Sequence, residues 1–234
     1  MAEPRSAITE ALQAVGTFIG ADLTSRIADL EWSIKECDGS QCAVKCIEAG
    51  ATPQLLAAAY SVKRAAGQIN VLIHAVAGVL LLPKIMEPGE RVQYVSLGAG
   101  NTGRSFDLET DRRVAEFKFI HWRGGADTIR QNSLFKDFYL LAEHPTPKRK
   151  ELYVLDLKHP LKFLRGGRSL ESVLSKSVVL WNEFRAKHAG RYATVRDYYA
   201  AKQHDVSLRD AAPLLPELLA IVDAAPPGNG DTDE

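Results

Sequence analysis

The chain has 234 residues, 46% of them apolar, and its 29 basic side chains are balanced by 29 acidic ones. That length and apolar fraction suit a globular protein of one or two domains with a substantial core. Zero formal net charge excludes a surface built throughout to grip nucleic acid, yet leaves room for one basic face.

The opening MAEPRSAITEALQAV lacks a basic stretch followed by an apolar one, which argues against a signal peptide. Ile8, Leu12, Val15, Ile19, Leu23, Ile27 and Leu30 recur every three or four residues, predicting one helical face from Ser6 to about Ile34, ended by Asp38-Gly39. Cys37, Cys42 and Cys46 are odd in number and lack the C-x2-C spacing of zinc sites, so they read as reduced thiols on or beside a helix. Thr52-Pro53 opens a further helix and Gly67 closes it. The run from Val71 to Leu82 falls short of the roughly 18 apolar residues a bilayer span needs, and His74 interrupts it. A helix from Gln68 to Leu82, apolar nearly all round and stopped by Pro83, is therefore expected in the middle of a soluble domain. On that helix His74 reads as a core histidine with a satisfied hydrogen bond. These features lead to the expectation of a cytoplasmic protein with no membrane partner.

From Arg91 the pattern changes to RVQYVSL, RSFDLE, RVAEFKFIHW and ELYVLDL, short runs rich in β-branched and aromatic residues that read as strands. Between the last two, Ile129, Leu134, Phe138 and Leu141 mark a helical stripe in GADTIRQNSLFKDFYLLAEH. After Arg168 the chain returns to helices: SLESVLSKSVVLWNEFRAKH ended by Gly190, then capping-box patterns at Thr194–Asp197 and Ser207–Asp210. The expected division is a helical region over 1–67, an α/β core over 68–167, a helical region over 168–225 and a disordered tail over 226–234.

Gly98, Gly100 and Gly103 spell G-x-G-x-x-G, but a dinucleotide fingerprint needs a helix directly after its glycines. After Gly103 the chain instead has two strand-like runs about the polar turn Thr110-Asp111-Arg112, a hairpin with no space for a crossover. Side-chain alternation puts Glu116 and Lys118 on one face of their strand and Ala115, Phe117 and Phe119 on the other. Asp107 lies on the partner strand, where the hairpin can bring it near Glu116. Two converging carboxylates repel unless something positive sits between them, and a divalent cation with oxygen ligands suits that gap.

Asp107, followed nine residues later by Glu116-Phe117-Lys118, resembles the D…E-x-K signature of the PD-(D/E)XK nuclease superfamily. The resemblance covers about residues 68–157. It implies a restriction-endonuclease-like core, a central mixed β-sheet flanked by helices, with N- and C-terminal helical additions outside it. It also implies a core order of helix, three strands, helix and fourth strand, here over 68–82, 92–97, 104–109, 113–120, 127–142 and ELYVLDL. Asp107, Glu116 and the Phe117 backbone carbonyl would bind Mg²⁺, with Mn²⁺ as a substitute. Lys118 would position or activate the attacking water, and Gln131, four residues before Phe135, would sit at the active-site edge. Phe106 replaces the signature's proline, and no Glu lies within 68–82, leaving His74, Glu87 or Glu90 as substitutes.

The expected function is metal-dependent hydrolysis of phosphodiester bonds, most naturally in DNA. Arg104, His121, Trp122, Arg130 and Lys136 are candidate nucleic-acid contacts. Between Arg104 and Arg168, 14 basic residues face 9 acidic ones, a local excess that suits a phosphodiester backbone. Two alternatives stand beside this: a non-catalytic nucleic-acid-binding or assembly protein that keeps the fold, and a nucleotide-binding enzyme using the GAGNTG loop. A homodimer, or a protein partner held by the helical flanks, is compatible with each.

Overall fold

The computed structural model describes residues 4–96, 106–119, 122 and 127–219. They form two compact units, Met1–Asn70 and Val71–Glu234.

The first unit is helical, with α1 (Pro4–Ile19), α2 (Leu23–Ile34), α3 (Gly39–Glu48) and the start of α4 (Pro53–Ile85). The helix expected to run on to Ile34 is two helices. Gly20 adopts φ +58° and the Asp22 carboxylate accepts from the Thr24 N–H, so one helix stops and the next is capped within three residues. Asp38-Gly39 opens a helix that the apolar spacing does not announce: Asp38 and Gln41 form a capping box at the start of α3. Cys42 and Cys46 lie on α3 and Cys37 just before it, all three as free thiols.

Helix α4 corrects two expectations. Gly67 does not end it, because a glycine inside a helix costs only about 1 kcal/mol relative to alanine and the flanking alanines favour continuation. Pro83 lies inside the last turn instead of stopping the helix ahead of it. At 33 residues α4 is the one helix among the described residues long and apolar enough to cross a membrane. Nor is it buried all round: Ala77, Gly78 and Leu81 are covered, whereas Leu72, Val76, Val79 and Leu80 are about half exposed.

The second unit is built on a five-stranded mixed sheet of β1 (Val92–Val95), β2 (Leu108–Thr110), β3 (Arg113–Lys118), β4 (Arg149–Val154) and β5 (Ser207–Asp210), in spatial order 1-2-3-4-5. The β1–β2 and β2–β3 pairs are antiparallel, and β3–β4 and β4–β5 are parallel. Helix α5 (Thr128–Glu143) connects β3 to β4, and α6 (Lys158–Leu164), α7 (Leu170–Leu174), α8 (Val178–His188) and α9 (Val195–Lys202) come before β5. The single helix expected over SLESVLSKSVVLWNEFRAKH is α7 and α8, because Ser177 leaves helical geometry to cap α8 through the Leu180 N–H. Thr194 and Asp197 form the expected capping box at α9. Ser207–Asp210, expected to open a helix, is instead β5. Its S-x-x-D spacing mimics a cap, but pairing along β4 through Glu151–Val154 satisfies its backbone.

Strand alternation sends alternate residues of β3 into two different cores. Val114 joins Leu134, Phe135, Phe138, Leu152 and the α6–α9 side chains on one face. Ala115 and Phe117 join Ala77, Leu81, Leu108 and Leu155 on the other, under α4. At the start of β3 the Arg113 guanidinium is buried and held by Glu90 at 2.6 Å and Glu151 at 2.7 Å. Thr110 Oγ1 donates to Glu90 as well, which fastens the chain leaving α4 to the edge of the sheet.

Candidate active site

Glu116 and Lys118 point from β3 toward α5, the face on which Val114 is buried. Asp107 lies one residue before β2, where the ladder with β3 ends at Leu108–Ala115. The Phe117 N–H donates to Asp107 Oδ2 at 2.9 Å, in the place a continuing β2 would have occupied. The N–H and C=O of a strand residue point to the same edge, so the Phe117 carbonyl faces the Asp107 side too. His74 of α4 reaches the same spot, its Nε2 3.5 Å from Asp107 Oδ1 and its ring tilted on Phe119.

A further carboxylate, not announced by the sequence pattern, completes the cluster. Asp137, less than two turns along α5 from Gln131, is nearly buried, with its Oδ2 2.9 Å from Lys118 Nζ. Lys118 Nζ also donates to Glu116 Oε1 at 2.8 Å, so one ammonium bridges a strand carboxylate and a helix carboxylate. Ser133 Oγ lies 3.4 Å from Asp137 Oδ2, one helical turn away. The signal for Asp137 was its place within the apolar stripe beside Phe138 and Leu141. A charge on the buried face of a helix demands a partner.

The electrostatics follow from enclosing three carboxylates around one ammonium. Burial, with the negative charges of Asp137 and Asp107, pushes the Glu116 carboxyl up to about 7, although Lys118 pulls the other way. Burial likewise raises Asp137 against the pull of Lys118. For Lys118 burial works against the charged form, but Asp137 and Glu116 override it and hold the amine above its ordinary value. The cluster thus carries more negative charge than it can comfortably keep, a condition that a bound cation relieves.

Among the described residues no group of three or more His, Cys, Asp or Glu side chains is arranged to hold a metal ion. The oxygen donors at this end of the ladder are hard ones: Asp107, held on the Phe117 N–H, Glu116, held by Lys118, and the Phe117 carbonyl. That set fits Mg²⁺ or Mn²⁺, which bind through one or two carboxylates and keep other positions for water and phosphate. Neither Glu87 nor Glu90 substitutes for a helix ligand. Glu90 is bound to Arg113, three residues or about 10 Å before Glu116 along the strand, and Glu87 pairs with Arg112 and Arg149.

The remaining candidates separate. Gln131 accepts a hydrogen bond from Arg168 through Oε1, and Phe135 is fully buried against Tyr198. Arg130 pairs with Asp127 at 3.0 Å, at the start of its own helix. Lys136 is exposed, and its charge lowers the Asp137 carboxyl as a lesser influence. Trp122 is not available to stack on a base: it is buried against His159 and Phe163, its surface used inside the fold. Arg104 and His121 lie outside the described residues, as do Gly98, Gly100 and Gly103. The antiparallel β1–β2 pairing nonetheless leaves those glycines without the parallel crossover a dinucleotide fold requires. Much of the local basic excess is engaged internally, through Arg112, Arg113, Lys118, Arg130, Lys148 and Arg149.

Comparison of the chain with protein-family models, with curated proteins and with solved structures found no match.

Proposed function

We propose that this chain is a metal-dependent phosphodiesterase acting on nucleic acid, most naturally DNA, and that its second unit is a restriction-endonuclease-like domain. The observation that carries the reading is the seating of the Asp107 carboxylate on the Phe117 N–H, next along the strand to the buried Glu116–Lys118 pair, at the open end of the β2–β3 ladder. A structural hairpin would gain nothing from charges placed between two cores. The order α4, three antiparallel-connected strands, α5 and a parallel fourth strand is also the order implied by the resemblance of Asp107 and Glu116-Phe117-Lys118 to the PD-(D/E)XK signature.

Asp107, Glu116 and the Phe117 carbonyl would hold Mg²⁺ or Mn²⁺. When bound, the ion supplies Lewis acidity that stabilises negative charge on phosphoryl oxygens. Lys118 orients the attacking water and offsets charge developing on phosphorus; Asp137 positions Lys118 by holding its ammonium from the helix side. In the overall reaction water adds to phosphorus, one P–O ester bond breaks, and the leaving oxygen takes up a proton. His74 orients Asp107 from the α4 side.

The test is incubation of single- and double-stranded, linear and supercoiled DNA, with RNA alongside, in Mg²⁺, Mn²⁺ or EDTA. Cutting that requires the metal and disappears in Glu116→Ala is the expected result. Persistence of cutting in EDTA, or in Glu116→Ala, would overturn the assignment.

A further inference from the structure

The outward face of α4 takes no part in the site. From Val71 to Pro83 the chain has no Asp, Glu, Lys or Arg. Its inward stripe, Ala77, Gly78 and Leu81, is buried beneath the sheet. On the other side Leu72, Ile73, Val76, Val79 and Leu80 are 38–60% exposed. Leu72, Val76, Val79 and Leu80 succeed one another at spacings of four, three and one, the ridge by which one helix packs against another. A helix apolar on both sides has one side too many for the fold that contains it.

We infer that this stripe is the contact surface of a homodimer, in which α4 of one copy lies against α4 of a second about a twofold axis. Three features favour a second copy. First, area: the stripe exposes about 450 Å² per chain, so self-pairing brings together about 900 Å² of apolar surface before any rim is counted, and the rim of a helix pair carries it toward the range of specific interfaces. Second, charge: about a twofold axis the same patch meets itself, and a patch of one sign of charge would repel its copy, whereas this one carries no charge. Third, seating: Leu81 is fully buried and Ala77 nearly so, hence lipid cannot surround α4 while it remains on the sheet.

The experiment is sedimentation velocity on the full chain across micromolar concentrations, with Val76→Glu as the test and Val178→Glu, a more exposed valine on α8, as the control. The native chain and Val178→Glu should sediment as dimers. Val76→Glu should dissociate about a hundred-fold more readily, with an unchanged circular dichroism spectrum because Glu at a half-exposed position reaches solvent in the monomer. A native chain that stays monomeric throughout, or a dimer indifferent to Val76→Glu, would overturn the inference. So would a native monomer that floats with phosphatidylcholine vesicles and loses that property in Val76→Glu, since the stripe would then belong to a lipid surface.

Discussion

Replacing Lys118 by methionine should lower metal-dependent phosphodiester cleavage by about a thousand-fold while leaving the chain folded. Methionine keeps most of the buried aliphatic stem and removes only the ammonium, which lies 2.8 Å from Glu116 and 2.9 Å from Asp137. The two carboxylates then face each other without a cation. Burial already pushes both toward the protonated form, so a proton taken up from solvent limits the cost to stability. Activity has no such substitute, because a neutral side chain neither orients a water nor offsets charge on phosphorus. Single-turnover cleavage beside a thermal melt separates the two effects. Asp137→Asn in the same assay should cost less, since it removes the charge that positions Lys118 and leaves the ammonium in place.

The largest stability effect is expected far from the chemistry. Arg113→Met should destabilise the fold by about 3–5 kcal/mol in urea titration, because Glu90 and Glu151 lose the buried cation between them and keep only neutral donors and the more distant Arg149 and Arg209. Arg149→Met, which breaks an exposed pair with Glu87 and a 3.9 Å contact to the buried Glu90, should cost less, about 1 kcal/mol. The two also differ with pH. Hydrogen bonding to Arg113 holds the Glu90 carboxyl down at about 2, against an ordinary 4.5. A carboxyl depressed in the folded state stabilises above its unfolded value, and that contribution is lost as pH falls from about 4.5 toward 2. Native protein should therefore lose stability steeply over that window. Arg113→Met should lose less there, having already given up the interaction.

How much of this could be read from the residues differs by element. Strands β1 to β4 and helix α5 were legible because period-two and period-3.6 patterns sit between clear turn signals. That Glu116 and Lys118 share a face was legible because strand alternation fixes it, whereas Asp107, expected on the partner strand, reaches the Phe117 N–H from the bend before β2. Helix breaks were harder: Gly20 stops a helix whereas Gly67 lies inside one, and only the neighbouring Asp22 cap and the runs of alanine separate the two cases. Ser207–Asp210 misled because an S-x-x-D pattern serves a helix start or an edge strand, and the choice is made by β4, which is over 50 residues away. Asp137 was hidden for a related reason. Its place in the stripe with Leu134, Phe138 and Leu141 marks it as buried, but its role depends on a lysine from another element that no local pattern names. The openness of the α4 outer face was likewise invisible, since apolar residues on every side of a helix imply burial without saying by what.

The central claim is that Asp107 and Glu116 form a cation site, and calorimetric titration of Mg²⁺ and Mn²⁺ tests it without depending on the choice of substrate. Native protein should bind the ion, Asp107→Asn and Glu116→Gln should each abolish that binding, and Lys118→Met should retain it. Failure of the native chain to bind either ion, or binding unchanged in both carboxylate variants, would contradict the account.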